Sequence, residues 1–220
     1  MKTVASPVRW ATIPLCVTIF LSLGTVQAND DATLAEGARV FNTIAGVGCK
    51  TCHGEYAEGD LGVGPFIRGA TEATIRATID ANNEMIIIKN SITDDQIKAV
   101  AAYLGRLGGL QVARTLAKRG RFLPDEFSTR PGTGVQLVIK NSSISPHTFK
   151  SDNLGIDDMT IPGRSTGSIE WQAPDSEGDF SLYCTDCKLK DQFFTVKVDA
   201  SADEFRGSAP ASAVAAEDSM

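Results

Sequence analysis

Histidine is scarce in this sequence, which contains only His53 and His147 among its 220 residues. Any site that needs imidazole must therefore be built from these two side chains. No further histidine is left to serve as a general base, and no Ser/His/Asp set is recognisable in the sequence. The sequence thus gives little indication of a stand-alone enzyme.

Long apolar runs are absent after residue 26. The one long run, from Ala11 to Val26, follows Lys2 and Arg9 and ends in Val26-Gln27-Ala28. Small residues at the two positions that a signal peptidase reads are typical of a secretory signal peptide, here residues 1–28. A retained membrane anchor is the alternative, because the run is close to the lower limit of ~17–20 residues for a spanning helix. We expect cleavage, a periplasmic location and no membrane span afterwards.

The chain has fewer basic residues than acidic ones. Removal of Lys2 and Arg9 with the signal peptide would change the formal net charge from −6 to −8. An acidic surface disfavours binding to nucleic acid and to anionic lipid. It favours a protein partner with a basic docking face.

Cysteine is also sparse, but the four cysteines after the signal peptide form two C-x-x-C pairs, Cys49/Cys52 and Cys184/Cys187. His53 directly follows the first pair. In a C-x-x-C-H motif the two thiols add to the vinyl groups of one haem, and the histidine coordinates its iron. The alternatives are a disulfide, a redox C-x-x-C motif and half a zinc site. No second local Cys/His pair completes a zinc site, and no βαβ setting accompanies the motif.

Helical patterns flank this motif. Leu34, Ala38 and Phe41 recur at helical spacing before it, and Thr71 is placed to cap a short helix. Thr93 and Gln96 have the spacing of a capping box, and an apolar stripe follows at Ile97, Val100, Ala101 and Leu104. We therefore predict an all-α domain over residues 29–109, in which three short helices enclose one flat apolar cofactor.

Residues 36–107 resemble the class I cytochromes c. The matching pieces are Gly37 and Phe41, the C-x-x-C-H motif, Gly64 to Gly69, and Ile97 to Leu104. The resemblance implies that Pro65 offers its carbonyl to the free ring nitrogen of His53, which would fix the tautomer. It also implies, more loosely, that Arg68 contacts a haem propionate.

The same resemblance places a sixth iron ligand between the haem motif and the last helix. Met85 is the one methionine there among the three that follow the signal peptide. A His/Met pair would give the haem a raised potential, because a thioether favours ferrous iron. Lys89 and an open sixth position are the alternatives, and Met85 would then be a core residue. The family's proline after this methionine is replaced by Ile86.

The pattern changes after Gly109. Leu110 to Lys118 are predicted to form a short helix within a linker, residues 110–120, and apolar residues then alternate with polar ones. This alternation, with regular turn signals, predicts an all-β sandwich over residues 121–199. Residues 200–220 have little bulk and are predicted to be a disordered tail.

The second domain resembles the cupredoxins, which are Greek-key sandwiches that bind copper. The resemblance rests on Phe122, Pro124, Val135 to Asn141, Pro146 to Phe149, and Tyr183-Cys184. It implies that His147 and Cys184 are copper ligands, but Cys187 stands where the family has its second histidine. An ordinary blue site therefore cannot form. Cys184 and Cys187 form a disulfide in a copper-free scaffold, bind copper with His147, or act as a catalytic dithiol.

Together the two resemblances imply a multidomain chain, an all-α cytochrome c domain followed by an all-β cupredoxin-like sandwich. The expected cofactors are one haem c and, if the altered site binds metal, copper. We interpret the protein as a periplasmic electron carrier or an electron-transfer subunit of a redox complex. The alternative is a copper-handling or redox-sensing protein that uses Cys184 and Cys187.

Overall fold

The computed structural model describes residues 24–59, 63–187 and 192–205, with side chains from residue 30. The predicted signal peptide up to residue 23, Lys188 to Asp191 and the predicted tail from residue 206 lie outside these ranges. Within the described ranges, no helix has both the length and the apolar character needed to cross a bilayer.

The described part of the N-terminal half contains five α-helices. They are α1 (Gly24–Thr43), α2 (Lys50–His53), α3 (Glu72–Ala81), α4 (Ile86–Lys89) and α5 (Asp94–Gly108), with 3-10 turns at Ile44–Gly46 and Asn83–Met85. Helix α1 continues through the cleavage position expected after Ala28. The helices share one core, built from Val40, Phe41, Ile44, Ala57, Ala70, Ile79, Ile88, Val100, Tyr103, Leu104 and Leu107.

The predicted helix starts are confirmed at two places. The Thr93 hydroxyl accepts a hydrogen bond from the Gln96 amide at 3.3 Å, and the Gln96 side chain accepts one from the Thr93 amide at 2.9 Å. This is the capping box that the sequence predicts for α5. Thr71 caps α3 in the same way by accepting from the amide of Thr74.

Helices α1 and α5 pack closely because Gly37 has no side chain. A Cβ atom at Gly37 would lie 2.0 Å from the Ala99 carbonyl oxygen and 2.8 Å from Cβ of Tyr103. The aromatic rings of Phe41 and Tyr103 meet one turn further along, with centroids 5.6 Å apart. The contact between these two helices therefore depends on glycine at this position.

Nine strands in the described residues form a two-sheet sandwich. One sheet has the order β2-β1-β4-β7 and the other has the order β3-β9-β8-β5-β6. Pairs β1–β4 and β3–β9 are parallel, and the other pairs are antiparallel. The strands are β1 (Gln111–Lys118), β2 (Arg121–Leu123), β3 (Glu126–Thr129), β4 (Gly134–Asn141), β5 (His147–Ser151), β6 (Ile156–Ile161), β7 (Thr166–Gln172), β8 (Gly178–Cys184) and β9 (Phe193–Val198).

The prediction of a short helix and a linker over residues 110–120 is wrong. Gln111–Lys118 is strand β1, which lies between β2 and β4, so the sandwich begins at residue 111 and not at 121. Ala113, Thr115 and Ala117 alternate as its buried residues. These residues are too small to give a clear period-2 signal, and the parallel partner β4 follows only after β2 and β3.

The predicted tail is ordered where the structure describes it. The Ala200 amide donates to Glu177 Oε1 at 2.8 Å, and Arg130 Nε donates to the Ala202 carbonyl at 2.6 Å. The first residues of the tail, Ala200 to Ala202, thus pack on the sandwich, whereas the sequence predicts disorder from residue 200.

Strand β4 is buried on both faces. Val135, Leu137 and Ile139 lie in the sandwich core, as their alternation predicts. Gln136 and Val138, on the opposite face, are also buried, at 2% and 4% exposure. A polar residue such as Gln136 is predicted to face water in a free sandwich, so its burial means that another part of the chain covers this face.

Replacement of Gly37 by alanine should destabilise the protein. The added methyl group has no room against the Ala99 carbonyl, and overpacking of this kind typically costs about 1–3 kcal/mol. Urea unfolding of Gly37→Ala and the wild type measures the difference. Gly105→Ala is the matched control, since nothing lies within 4 Å of a Cβ there and alanine is the better helix former by about 1 kcal/mol. Equal stability of the two variants would contradict the packing argument.

Candidate metal centres

The C-x-x-C-H motif folds as a single helical turn. Cys49 is the N-cap residue of α2, and the amides of Cys52 and His53 both donate to its carbonyl at 3.2 and 3.0 Å. Two glycines allow other backbone to lie against this turn. A Cβ at Gly48 would lie 2.4 Å from the Asn42 carbonyl oxygen, and one at Gly64 would lie 2.4 Å from that of Cys52. The two cysteines and the histidine are thus held on one short, tightly packed turn.

The His53 ring contacts Pro65 as the resemblance implies. Nδ1 of His53 lies 2.9 Å from the Pro65 carbonyl oxygen. A carbonyl oxygen only accepts, so Nδ1 carries the proton in this contact and Nε2 of the neutral ring keeps a free lone pair. The ring is therefore in the tautomer that a metal ligand needs.

Cys49 and Cys52 are free cysteines that differ in burial. Cys49 is partly buried and packs against the helical core, whereas Cys52 is exposed. Burial raises the pKa of the Cys49 thiol to about 11. Cys49 is thus a neutral thiol at neutral pH.

Met85 ends the second 3-10 turn and caps α4. Its side chain is partly buried and packs against the same helical core as Cys49. Lys89, the alternative ligand, forms an ion pair with Asp80 at 2.9 Å. Because Lys89 is engaged in this ion pair, Met85 is the better candidate for the sixth iron ligand.

The donor set and its surroundings fit a covalent haem. Cys49 and Met85 pack against one core, and His53 keeps a free Nε2. Two thiols, an imidazole and a thioether are the groups that hold c-type haem. The helical half also exposes four large apolar side chains, by 49% to 60%. A planar apolar cofactor needs such partners. The four are Val47, Val63, Ile86 and Ile87.

The structure corrects the role expected for Arg68. Its side chain is fully buried, and its guanidinium donates to the Tyr56 carbonyl at 3.0 Å, to the Leu107 carbonyl at 3.4 Å and to Gln136 Oε1. It therefore faces the sandwich and not an open surface where a propionate would lie. Burial lowers the pKa of Arg68 to about 10, which leaves the guanidinium charged at neutral pH.

Two further arginines join the halves of the molecule. Arg106, near the end of α5, donates to both carboxylate oxygens of Glu170 on β7 at 2.9 Å. Arg114 on β1 donates to the Glu58 carbonyl at 2.7 Å, within the loop that follows His53. The β2-β1-β4-β7 sheet is thus the surface that packs against the helical half, which explains the burial of the outer face of β4.

A cleft of about 890 Å³ lies beside this contact. Its walls come from the loop after the C-x-x-C-H motif and from strands β1 to β4, with Arg164 to Thr166 beyond. Acidic and basic side chains both line it. The cleft therefore has no single charge that would select one class of ligand.

A second group of metal-ligating side chains lies in the other sheet. His147 begins β5 and Cys184 ends β8, and these strands pair antiparallel with Phe149 opposite Cys184. Cys187 follows in the next loop. Ligand atoms of His147, Cys184, Asp186 and Cys187 all lie within 4.8 Å of one another. The register of β5 and β8 thus brings together the three residues that the sequence predicts.

Cys184 and Cys187 form a disulfide in this structure, with Cα atoms 5.4 Å apart. Both residues are buried, at 7% and 4% exposure. The disulfide pairing of the first interpretation is therefore the form that the two cysteines have in this structure. Two sulfurs that are bonded to each other are not thiolates, so this pair can ligate a metal only after reduction.

Asp186 is the member of this cluster that the sequence analysis missed. Its Oδ1 lies 3.2 Å from His147 Nδ1, 3.1 Å from the Thr148 amide nitrogen and 3.2 Å from the Cys184 sulfur. Its position inside the second C-x-x-C pair was the available signal.

Comparisons with known proteins give weak similarities to copper proteins. No family model matches the chain, and no curated protein matches it. A copper-binding protein in its apo form is 18% identical over 41% of this chain and 89% of that chain, with a TM-score of 0.36. The metal-binding domain of a Cu(I)-exporting P-type ATPase from Streptococcus pneumoniae, solved with Cu(I), is 18% identical over 41% and 87%, with a TM-score of 0.35.

Auracyanin A, a blue copper protein from Chloroflexus aurantiacus, is 17% identical over 41% of this chain and all of that chain, with a TM-score of 0.34. These scores and identities are too low to assign a ligand set or an activity. The sandwich is defined by its own strand order and core.

Substitution of Arg68 by methionine should destabilise the protein through the contact between its halves. The change leaves Gln136 Oε1 and the Tyr56 carbonyl without their donor, at about 1–3 kcal/mol for each buried acceptor. Arg106→Ala removes a partly exposed ion pair and should cost only about 0.2–1 kcal/mol. Urea unfolding compares the two variants. If Arg68→Met is as stable as Arg106→Ala, the buried guanidinium does not hold the contact.

Proposed function

We propose that the chain is an electron-transfer protein that carries one covalent c-type haem in its helical half. The observation that supports this most strongly is the contact between His53 Nδ1 and the Pro65 carbonyl, directly after the two free cysteines of a C-x-x-C-H motif. A redox dithiol has no need of a histidine whose tautomer is fixed for metal binding.

Each of the named side chains has a distinct task in this proposal. Cys49 and Cys52 form the thioether bonds, His53 coordinates through Nε2, and Met85 supplies the sixth ligand. Bound in this way, haem supplies one-electron chemistry at a raised potential, because the thioether favours ferrous iron. Pro65 holds the His53 ring, and the core against which Cys49 and Met85 pack excludes water from the ligands.

The location and partner follow from charge and oxidation state. The Cys184–Cys187 disulfide is consistent with an oxidising compartment such as the periplasm. The acidic net charge suits a redox partner with a basic docking face. The sandwich then serves as a second redox centre or as a docking module of the same electron carrier.

Covalent attachment should depend on the first cysteine pair alone. The protein is expressed with haem-maturation machinery, and haem peroxidase staining is read on a denaturing gel. The wild type should keep the stain, and the variant with both Cys49→Ala and Cys52→Ala should lose it. Cys184→Ala is the control and should stain normally. An unstained wild-type band under these conditions would refute the proposed haem.

Met85→Ala should change the iron without removing the haem. Loss of the thioether should abolish the weak sulfur-to-iron band at the red end of the oxidised spectrum and should lower the reduction potential. Met159→Ala is the matched control, because Met159 packs against the sandwich core and not the helical core. Persistence of the band in Met85→Ala would assign the sixth position to another residue.

The second candidate function is copper handling through the sandwich. It is favoured by the convergence of one imidazole and two sulfurs in the cluster of His147, Cys184, Asp186 and Cys187. This candidate does not exclude the first, because the two sites use different residues.

A further inference from the structure

The cluster of His147, Cys184, Asp186 and Cys187 lies on the side of the molecule that the helical half does not cover. The helical half packs on the β2-β1-β4-β7 sheet through Gln136 and Glu170, whereas His147 and Cys184 belong to β5 and β8 of the opposite sheet. The cluster is therefore separate from the proposed haem site.

We propose that the cluster is a redox-gated site for a single Cu(I) ion, closed by the Cys184–Cys187 disulfide and opened by its reduction. Cys184, Cys187 and His147 are the ligands, and Asp186 is a positioning residue. This inference deepens the proposed function, on which it rests for the sandwich's role as a second centre, by naming the ion and the condition for its binding.

The donor set selects the ion. Two thiolates and one imidazole make a soft, three-coordinate set, and thiolates favour Cu(I) over harder ions. Zn²⁺ favours four ligands in a tetrahedron. Asp186 Oδ1 already contacts the Thr148 amide and the His147 ring, so this oxygen connects the loop to β5. We assign the two sulfurs and the imidazole as the ligands, which is an S₂N set.

The disulfide makes binding conditional. A dithiol donor gives two electrons and two protons to the Cys184–Cys187 bond, which breaks into two thiols, while the donor becomes a disulfide. Cu(I) then displaces the two thiol protons to solvent and binds the two thiolates with neutral His147. In the oxidised form the two sulfurs are bonded to each other and neither is a thiolate, so the site lacks two of its three ligands.

Asp186 holds the histidine beside the cysteine loop. One carboxylate oxygen contacts both the His147 ring and the amide of Thr148, the first two residues of β5. The carboxylate thereby connects the loop between the two cysteines to the strand that carries the histidine. Partners of this kind orient a ligand ring, and their loss typically lowers metal affinity about 10- to 100-fold.

The test uses the full haem-loaded chain and reads both cofactors by native mass spectrometry. Copper-free protein is treated with or without a phosphine reductant, desalted under nitrogen and titrated with Cu(I) buffered by bicinchoninate. The reduced wild type should show two free thiols and bind one Cu(I), and the oxidised wild type should show none and bind none. Cu(I) on the oxidised protein, or no Cu(I) on the reduced protein, would overturn the proposal.

The variants separate ligands from the positioning residue. Cys184→Ala and Cys187→Ala should each lose Cu(I) binding. Asp186→Ala should weaken it about 10- to 100-fold, and Asp186→Asn should restore most of the affinity, because an amide oxygen still accepts from Thr148 and His147. Asp186→Ala keeps all three ligands, so it tests the site even if a cysteine variant fails to fold. Stronger retention of Zn²⁺ than of Cu(I), or equal affinity of Asp186→Ala and wild type, would also count against the proposal.

The two proposals fail separately in this experiment. Absence of the haem mass with normal Cu(I) uptake would refute the haem proposal and leave the gated site intact. Normal haem mass without Cu(I) uptake by the reduced protein would refute the gated Cu(I) site and leave the haem proposal intact.

Discussion

A single buried charge, the guanidinium of Arg68, determines how the two halves of this protein fit together. Burial of a charge is costly unless hydrogen bonds replace the lost water. Arg68 finds its acceptors on both sides of the contact, at Tyr56 and Leu107 in the helical half and at Gln136 in the sandwich. Neither half alone satisfies it, so the stable arrangement is the one in which both are present.

Gln136, on the sandwich side of the contact, likewise depends on the presence of both halves. It lies on β4, where its Oε1 accepts from Arg68 and its Nε2 donates to the Ser168 hydroxyl at 3.1 Å. In a free sandwich this residue would face water. Here it is part of a polar contact that Arg106 and Glu170 extend toward the surface. The outer face of the sheet is thus an internal surface of the whole chain.

Local signals in the sequence predicted local structure well. The capping box of Thr93 and Gln96 depends on one short segment, and the structure contains it. The contact of His53 with Pro65, which the resemblance to class I cytochromes c implied, is also present. The ligand cluster was predicted in part, since His147, Cys184 and Cys187 do converge. Asp186 was missed because an acidic residue in a loop is usually solvated, and only the pairing of β5 with β8 brings it to the histidine.

Long-range signals were harder to read. Strand β1 buries only small side chains and pairs in parallel with a distant strand, so its local sequence did not distinguish it from a helix or a linker. Arg68 lies in a segment that resembles a haem protein, and the sequence contains no sign that a glutamine 68 residues later would accept its hydrogen bond. The hydrophobic periodicity of one domain does not indicate which of its faces packs against the other domain.

The position of β1 has a practical consequence for any attempt to isolate the sandwich. Helix α5 ends at Gly108 and β1 begins at Gln111, so the chain passes from one half to the other almost without a break. Removal of everything before residue 121 would take away a strand that lies between β2 and β4. It would leave β4 with an unpaired, largely apolar edge, and open edges of this kind recruit strands from other molecules. The truncated sandwich would therefore tend to aggregate, and a soluble fragment has to begin at or before Leu110.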